Sequence, residues 1–536
     1  MDVIFARTCS NWPMHAATME SDATSAFYSA KEIIVGDVWT TGPAMRANYL
    51  RVASAMARLG IQQGDRIALL LRNDIAFLEA TFAAQHLGAY AVPINWHSTA
   101  DELKFIITDS KAKLLICHSD LLPRISNKNV NLAVWTVVTP PAIREAYHLD
   151  EASPSGGVFD ANWADIKRSS AGYTRAALSC PDSLIYTSGT TGKPKGVWRE
   201  APSMEQLRST EEMRLRVTGI DRESRVLVPA PLYHTAPNLF AARAARIATV
   251  LVVMARFDPE QMLETIEKHA ITHVYLVPTM FMRLLGLPKE IRTKYDLSSL
   301  EFLLHAGGPC APQVKAEIID WLGPKVYEYY GSTESGPVTF STSDDFTRKP
   351  GTVGKPLEGV EVCVLGELGD LMSAGEVGEI FVANPGYPDF TYLNQPEARA
   401  ELQRGKFLAT GDLGYVDNEG YLFLCDRKRD LIISGGVNIY PAEIEAALIS
   451  VPGVADCAVF GIPDTEFGEA LAAVVQPKDE AAATPGLIRR ALAGKLASFK
   501  IPRVIKISND LPRDESGKIK KRLLRDPFWA SVNRRI

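Results

Sequence analysis

From residue 64 onward the chain alternates runs of strand length with runs of helical period, and that alternation restricts the fold more than any other feature. Residues 66–71 are apolar and of strand length. Asn73 is placed to cap a following helix whose apolar positions include Phe77, Leu78, Phe82 and Leu87. Strand character returns at 89–94, helix at 99–110 with a Thr-x-x-Glu cap at Thr99 and Glu102, and strand again at 113–117. Consecutive strands joined through helices predict a parallel α/β sheet. A second repeat follows, with strands at 226–228, 247–253 and 272–276 and a helix at 259–269, so the first half reads as doubly wound. Upstream, residues 1–40 carry no clear pattern, and a first helix is expected between 40 and 60.

After the apolar Leu184 and Ile185 comes Tyr186-Thr187-Ser188-Gly189-Thr190-Thr191-Gly192-Lys193-Pro194-Lys195-Gly196-Val197. Glycine lets backbone N–H groups approach an anion, hydroxyls add short donors, and lysine adds mobile positive charge. The density of these types predicts a phosphate cradle rather than an ordinary polar turn. It is not a Walker-type loop, which needs four residues between its first Gly and a Gly-Lys pair followed by Ser or Thr; here Pro194 follows Lys193.

Composition excludes several classes. Hydrophobic content of 46%, charge of 23% and a net charge of −5 over 536 residues describe a globular enzyme with no pull toward nucleic acid. Cys9, Cys117, Cys180, Cys310, Cys363, Cys425 and Cys457 have no paired spacing, which predicts a reducing compartment and neither a disulfide frame nor a zinc site. The apolar run 247–255 is far shorter than the roughly twenty residues a spanning helix needs. No signal-peptide core opens the chain, so a cytoplasmic protein without a transmembrane segment is expected, with peripheral membrane contact left open.

The strand at 226–228 runs into a loop with three prolines, 229–237, where His234 is open between a turn histidine and a site residue. His269 and His273 fall on a helix end and a strand start with no third ligand spaced to join them. The strand 300–304 ends in His305-Ala306-Gly307-Gly308-Pro309, a turn where backbone can touch a flat ring, and the strand 326–330 ends in Gly331-Ser332-Thr333-Glu334-Ser335. A carboxylate such as Glu334 at a strand end among small polar residues suits Mg²⁺, which takes one or two carboxylates plus phosphate oxygens. Stretches 351–359 and 376–381 predict a β-rich subdomain. Asp412, on the Gly-flanked turn Thr410-Gly411-Asp412, offers the two acceptor oxygens that a ribose diol requires. A hairpin is expected at 415–425 with its turn at Asp417-Asn418-Glu419-Gly420. The charge cluster Asp426-Arg427-Lys428-Arg429-Asp430 reads as a linker. Beyond it, a Pro441-initiated helix, strands at 455–462 and 470–476 and a helix at 484–496 make a compact α+β domain. Lys518, in the turn Pro512-Arg513-Asp514-Glu515-Ser516-Gly517-Lys518, is free to reach outward.

These motifs, in this order from about residue 64 to 522, resemble the AMP-forming adenylating superfamily of acyl-CoA synthetases, aryl-CoA ligases, luciferases and peptide-synthetase adenylation domains. The resemblance implies a large N-terminal domain of doubly wound sheets plus a β-rich subdomain, residues 1–428. A small mobile α+β C-terminal domain, residues 429–536, would carry the catalytic lysine, Lys518. It implies ATP, CoA and Mg²⁺ as cofactors. The phosphates would be held by Thr187, Ser188, Gly189, Thr190, Thr191, Gly192, Lys193, Lys195 and Thr333, with Thr190 acting in catalysis and Glu334 on the metal. Gly307, Gly308, Tyr329 and Tyr330 would line the base or acyl pocket, His234 would lie beside the acyl group, and Asp412 and Arg427 would reach the ribose. Ser434, Gly435 and Gly436 would follow the hinge on the nucleotide side. Arg429 stands where the family carries a hinge Asp or Lys, and Trp198-Arg199-Glu200 departs from the polar run usual after the signature.

The implied activity is that of an acid–CoA ligase: ATP and a carboxylic acid give an acyl-adenylate and pyrophosphate, the small domain rotates, and the CoA thiol attacks. Segments 231–237, 275–283 and 327–334 look most like ligases of fatty acids and of bile or steroid side-chain acids. The alternatives are an aryl acid of the cinnamate or benzoate type, transfer to an acceptor other than CoA, or a luciferase-like oxygenase. A peptide-synthetase adenylation domain is disfavoured, because no carrier domain fits after Arg522; a non-catalytic relative would lack Glu334 or Lys518. A monomer or homodimer is expected.

Overall fold

The computed structural model describes residues 30–125, 132–150, 161–179, 182–187, 194–478, 483–513 and 519–530. Among them the strands form five sheets. In the largest, the order from one edge is Lys355–Pro356, Gly336–Ser341, Val326–Ser332, Phe302–His305, His273–Leu276, Arg225–Val228, Val250–Val253, Glu32–Val35 and Val38–Thr40. Its six inner members, from Val326–Ser332 to Glu32–Val35, run parallel, and antiparallel strands close both edges. A second, all-parallel sheet orders Tyr90–Pro93, Arg66–Leu70, Leu114–His118, Ala133–Val137 and Ala161–Asn162.

Helix Ile75–His86 packs on the second sheet through Arg66–Leu70 and Tyr90–Pro93, and on helix Gly42–Arg58 from the other side. Residues 75–85 are buried on every face, which is why this helix reads as apolar all round rather than as a stripe. Glu79 is the one carboxylate inside it. Its carboxylate accepts from Asn48, Trp163 and Lys167 at 2.9–3.2 Å, and burial pushes its carboxyl above the ordinary range.

An antiparallel sheet of Glu361–Leu365, Gly378–Ala383, Phe407–Val416, Gln403–Arg404 and Leu422–Arg427 makes the β-rich subdomain, with the expected hairpin turn closed by Gly420 N–H donating to the Asp417 carbonyl at 3.0 Å. A fifth sheet, Val437–Ile439, Ile432–Ser434, Gly468–Pro477, Val454–Asp464 and Val504–Ile507, packs with helices Pro441–Ile449 and Pro485–Ala493 around its own core. The architecture is mixed α/β with a large N-terminal and a small C-terminal domain. No helix among the described residues is long and apolar enough to cross a membrane.

Four local readings change. Residues 32–40, which carry no obvious pattern, form a hairpin about Gly36 (φ 60°) whose first strand extends the large sheet beside Val250–Val253. Its signal was the β-branched run Ile33-Ile34-Val35. Asn73 does not cap the helix; Asp74 stands at that position, and Asn73 instead donates to the carbonyls of Ala230 (3.1 Å) and Met254 (2.9 Å) and accepts from Leu232 N–H (2.9 Å). The three-proline stretch is not loop throughout, because helix Thr235–Ile247 begins inside it and takes Pro237 in its first turn, where the missing N–H costs nothing. That helix also claims Ile247, so the following strand is Val250–Val253.

His273 and His305, on adjacent strands, are buried, and burial pushes each imidazole from the ordinary 6.5 down to about 4. The unfolded chain therefore takes up these protons at higher pH than the folded one. The stability they contribute is whole above pH 6.5 and is lost as pH falls through about 4. We expect the unfolding free energy from urea titrations to drop across that window by up to ~1.4 kcal/mol per pH unit for each histidine. His273→Gln should flatten the fall; an unchanged slope would contradict the assignment.

Candidate active site

In an open parallel sheet, ligands gather beyond the carboxyl ends of strands where the chain switches direction. Here the switch lies at Arg225–Val228, which pairs with Val250–Val253 on one side and His273–Leu276 on the other. Its carboxyl end leads to His234, the end of Phe302–His305 leads to Gly307 and Gly308, and the end of Val326–Ser332 leads to Thr333 and Glu334. Three predicted segments therefore open on one edge of the sheet.

The first cluster forms where the three-stranded sheet Thr391–Tyr392, Lys195–Trp198 and Ile185–Thr187 meets that edge. Thr187 Oγ1 donates to Glu334 Oε1 at 3.2 Å, and Tyr392 Oη donates to the same oxygen at 3.2 Å. The Thr333 and Thr235 hydroxyls meet at 2.6 Å, and Lys195 Nζ lies 4.9 Å from the centre of the Tyr392 ring. Burial, and then the Glu334 charge, push the Tyr392 phenol far above its usual range, so it serves as a donor. Tyr186 anchors the strand behind by donating to Asp109 at 2.7 Å, and its ring explains Gly196: a Cβ there would sit 2.9 Å from the ring carbon Cζ. Ser188, Gly189, Thr190, Thr191, Gly192 and Lys193, between the two strands of this hairpin, lie outside the described residues, as does Lys518.

The second cluster forms around Asp412. Tyr330 Oη donates to Asp412 Oδ2 at 2.7 Å, and Arg427 Nε lies 3.6 Å from Asp412 Oδ1. Asp412 and Arg427 are register partners in the antiparallel pair Phe407–Val416 and Leu422–Arg427, so the sheet itself brings them together. Burial, and then Asp412, raise the Tyr330 phenol well above its ordinary value. Tyr329 and Tyr330 share the strand that ends at Ser332, which joins this cluster to the first.

Gly307 holds φ 84°, a backbone conformation that favours glycine, while a Cβ on it would make only an ordinary contact, 3.6 Å from Tyr275 Oη. His234 is half-buried at the N-terminal boundary of Thr235–Ile247, its ring 4.4 Å from that of Tyr233. Ser434, Gly435 and Gly436 sit in the hairpin of Ile432–Ser434 and Val437–Ile439, where Gly435 N–H donates to the Phe467 carbonyl at 2.8 Å; the described contacts do not join them to either cluster. Residues that the sequence did not single out also enter the site: Thr235, Tyr392 and Arg199. Only Arg199 left a trace, as part of the unusual Trp198-Arg199-Glu200.

With Glu334 Oε1 taken by two hydroxyls, its other oxygen has no hydrogen-bond partner among the described residues. One carboxylate beside hydroxyls fits Mg²⁺, which seldom uses an all-protein cage. Among the described residues no three His, Cys, Asp or Glu side chains gather to hold a metal by themselves.

This fold and edge define an adenylate-forming enzyme. The model of the AMP-binding enzyme family matches residues 15–387, and that of the AMP-binding enzyme C-terminal domain matches residues 443–518. The chain belongs to this family. It is similar to the long-chain-fatty-acid–CoA ligase FadD13 of Mycobacterium tuberculosis, 34% identical over 507 residues, 92% of this chain and 94% of the relative. The feruloyl-CoA synthase of an Amycolatopsis species is 32% identical, covering 97% and 98%. Among solved structures, the o-succinylbenzoate CoA synthetase MenE of Bacillus subtilis, in complex with its acyl-adenylate intermediate OSB-AMP, superposes with a TM-score of 0.75 at 29% identity over 93% and 96% of the two chains.

Proposed function

We propose that this enzyme joins a medium- or long-chain fatty acid, or a bile acid or steroid side-chain acid, to CoA through an acyl-adenylate. The observation that carries the nucleotide part is the pair of clusters joined through the strand Val326–Ser332. Thr187, Thr333 and Glu334 offer hydroxyls and a carboxylate suited to the phosphate end, while Tyr330, Asp412 and Arg427 offer the acceptor pair and cation suited to the ribose. One nucleotide spans both.

Asp412 would accept the two ribose hydroxyls, held in orientation by Tyr330, and Arg427 would lie alongside the ribose and α-phosphate. Gly307 and Gly308 would meet the flat base or acyl group with bare backbone, against Tyr329. The loop 188–193 with Thr190, together with Lys195, would wrap the β- and γ-phosphates. Glu334 would hold Mg²⁺, which neutralises phosphate charge when bound. As a carboxylate oxygen attacks the α-phosphorus and pyrophosphate leaves, Lys518 would stabilise the charge that builds up in line. His234 would border the acyl group. The small domain would then turn about Arg429, with residues 1–428 and 429–536 as the two bodies, and the CoA thiol would displace AMP.

The acid is tested by pyrophosphate release from MgATP, with and without CoA, across short, medium and long fatty acids, bile and steroid acids, and aryl acids. CoA-dependent turnover confined to fatty or steroid acids is expected. Preference for cinnamates would assign the aryl alternative, and release indifferent to CoA would assign another acceptor.

A further inference from the structure

Arg199 directly follows the strand Lys195–Trp198 that returns from the phosphate loop, and its guanidinium crosses to the opposite wall of the site. Its Nη2 donates to the carbonyls of Thr333 (2.7 Å) and Glu334 (2.6 Å), and its Nε donates to the carbonyl of Pro388 (3.0 Å). The guanidinium lies over the Tyr387 and Phe390 rings, 5.1 and 5.6 Å from their centres, and both rings are buried. Three carbonyls from two separate segments thus converge on one planar fork of donors, a geometry that a lysine ammonium cannot reproduce.

From this bridge we propose that Arg199 is a positioning residue for the polyphosphate end of the nucleotide, an inference that rests on the ATP reading above. The Thr333–Glu334 turn is held at two levels. Thr187 and Tyr392 hold the Glu334 carboxylate, and Arg199 holds the backbone beneath it. Because Arg199 is continuous with the strand Lys195–Trp198, it ties that strand to the turn that carries the carboxylate. Truncating it leaves the carbonyls of Thr333 and Glu334 without this donor and frees the turn to swing. The two hydroxyls then orient a carboxylate whose own backbone has moved. The consequence falls on groups that grip metal and phosphate together, not on the ribose cluster at Asp412 or on the acyl side.

The test compares wild type, Arg199→Ala and Arg199→Lys as full chains. ATP binding is measured calorimetrically in Mg²⁺ and in EDTA, alongside the adenylation constants and the conversion of supplied acyl-adenylate and CoA. Both variants should bind MgATP roughly 10- to 100-fold more weakly, the range for losing a group that orients a metal ligand. Metal-free ATP binding should change far less, the KM for the acid should hold, and thioester formation from supplied adenylate should stay within about twofold of wild type. Arg199→Lys keeps the charge and the apolar stem, so it carries the test if the alanine variant does not fold. Wild-type MgATP binding in either folded variant would overturn the proposal, as would an equal loss with and without Mg²⁺, the mark of a merely structural role. Failure of the wild type to bind ATP would instead overturn the nucleotide reading itself.

Discussion

Lys518→Ala is expected to lower acid-dependent adenylation by roughly 10²–10³, the cost of removing one charge-stabilising donor from a reaction centre, while supplied acyl-adenylate and CoA still give thioester. Lys518 lies outside the described residues, but both ends of its loop are fastened to the small domain. Arg513 bridges to Ile519 and pairs with Asp456 at 2.6 Å, and Lys521 pairs with Glu445 at 2.7 Å. Glu445 sits on helix Pro441–Ile449 and Asp456 on strand Val454–Asp464, so Arg513 and Lys521, on either side of Lys518 in sequence, are both tied to the C-terminal domain. If that domain withdraws before CoA attacks, the lysine serves only the first half-reaction. Rapid-quench measurement of each half-reaction separates the two; an equal loss in both, in a folded protein, would contradict rotation about Arg429.

Glu328→Ala is expected to destabilise the large domain by about 3–5 kcal/mol, the range for leaving one partner of a buried ion pair alone. Glu328 and Lys315 meet at 2.7 Å with side chains 9% and 1% exposed, and His305 Nε2 lies 3.6 Å from the same carboxylate oxygen. Lys315 also points at the Phe346 ring, 4.8 Å from its centre, so no water replaces the lost carboxylate cheaply. Replacing both charges, as Lys315→Met with Glu328→Leu, should recover most of the loss. Urea unfolding of the single and double variants measures both. Because Glu328 precedes Tyr329 and Tyr330 on the same strand, the single variant should also weaken nucleotide binding. A single variant as stable as wild type would remove this pair from the account of the core.

Much of the fold could be read from periodicity because its elements obey local rules. The capping box at Thr99 and Glu102, the helix Pro259–His269 and the hairpin turn at Asp417 need only neighbours in sequence to form. Asn73 shows where that legibility ends. Its side chain bonds residues 157 and 181 positions away, and tertiary contacts decided against the cap that its local setting suggested. The site divides in the same way. Glu334 and Asp412 stand at strand ends and turns where a lone carboxylate is conspicuous, so each can be picked out from sequence. Tyr392, Thr235 and Arg199 cannot, because each acquires a role only when a short strand pairs, a helix starts inside a proline-rich stretch, or a guanidinium reaches a neighbouring segment.

If the hydroxyls, carboxylates and glycines gathered at the carboxyl edge of the large sheet assemble an acyl-adenylate, ATP and acid must react before any thiol is needed. The most direct test of this order is exchange of labelled pyrophosphate into ATP, measured with Mg²⁺ and a turned-over acid and with CoA left out. Acid-dependent exchange is expected without any thiol, because the adenylate forms reversibly before CoA is needed. ADP and phosphate as products, or thioester formation with no exchange, would contradict it.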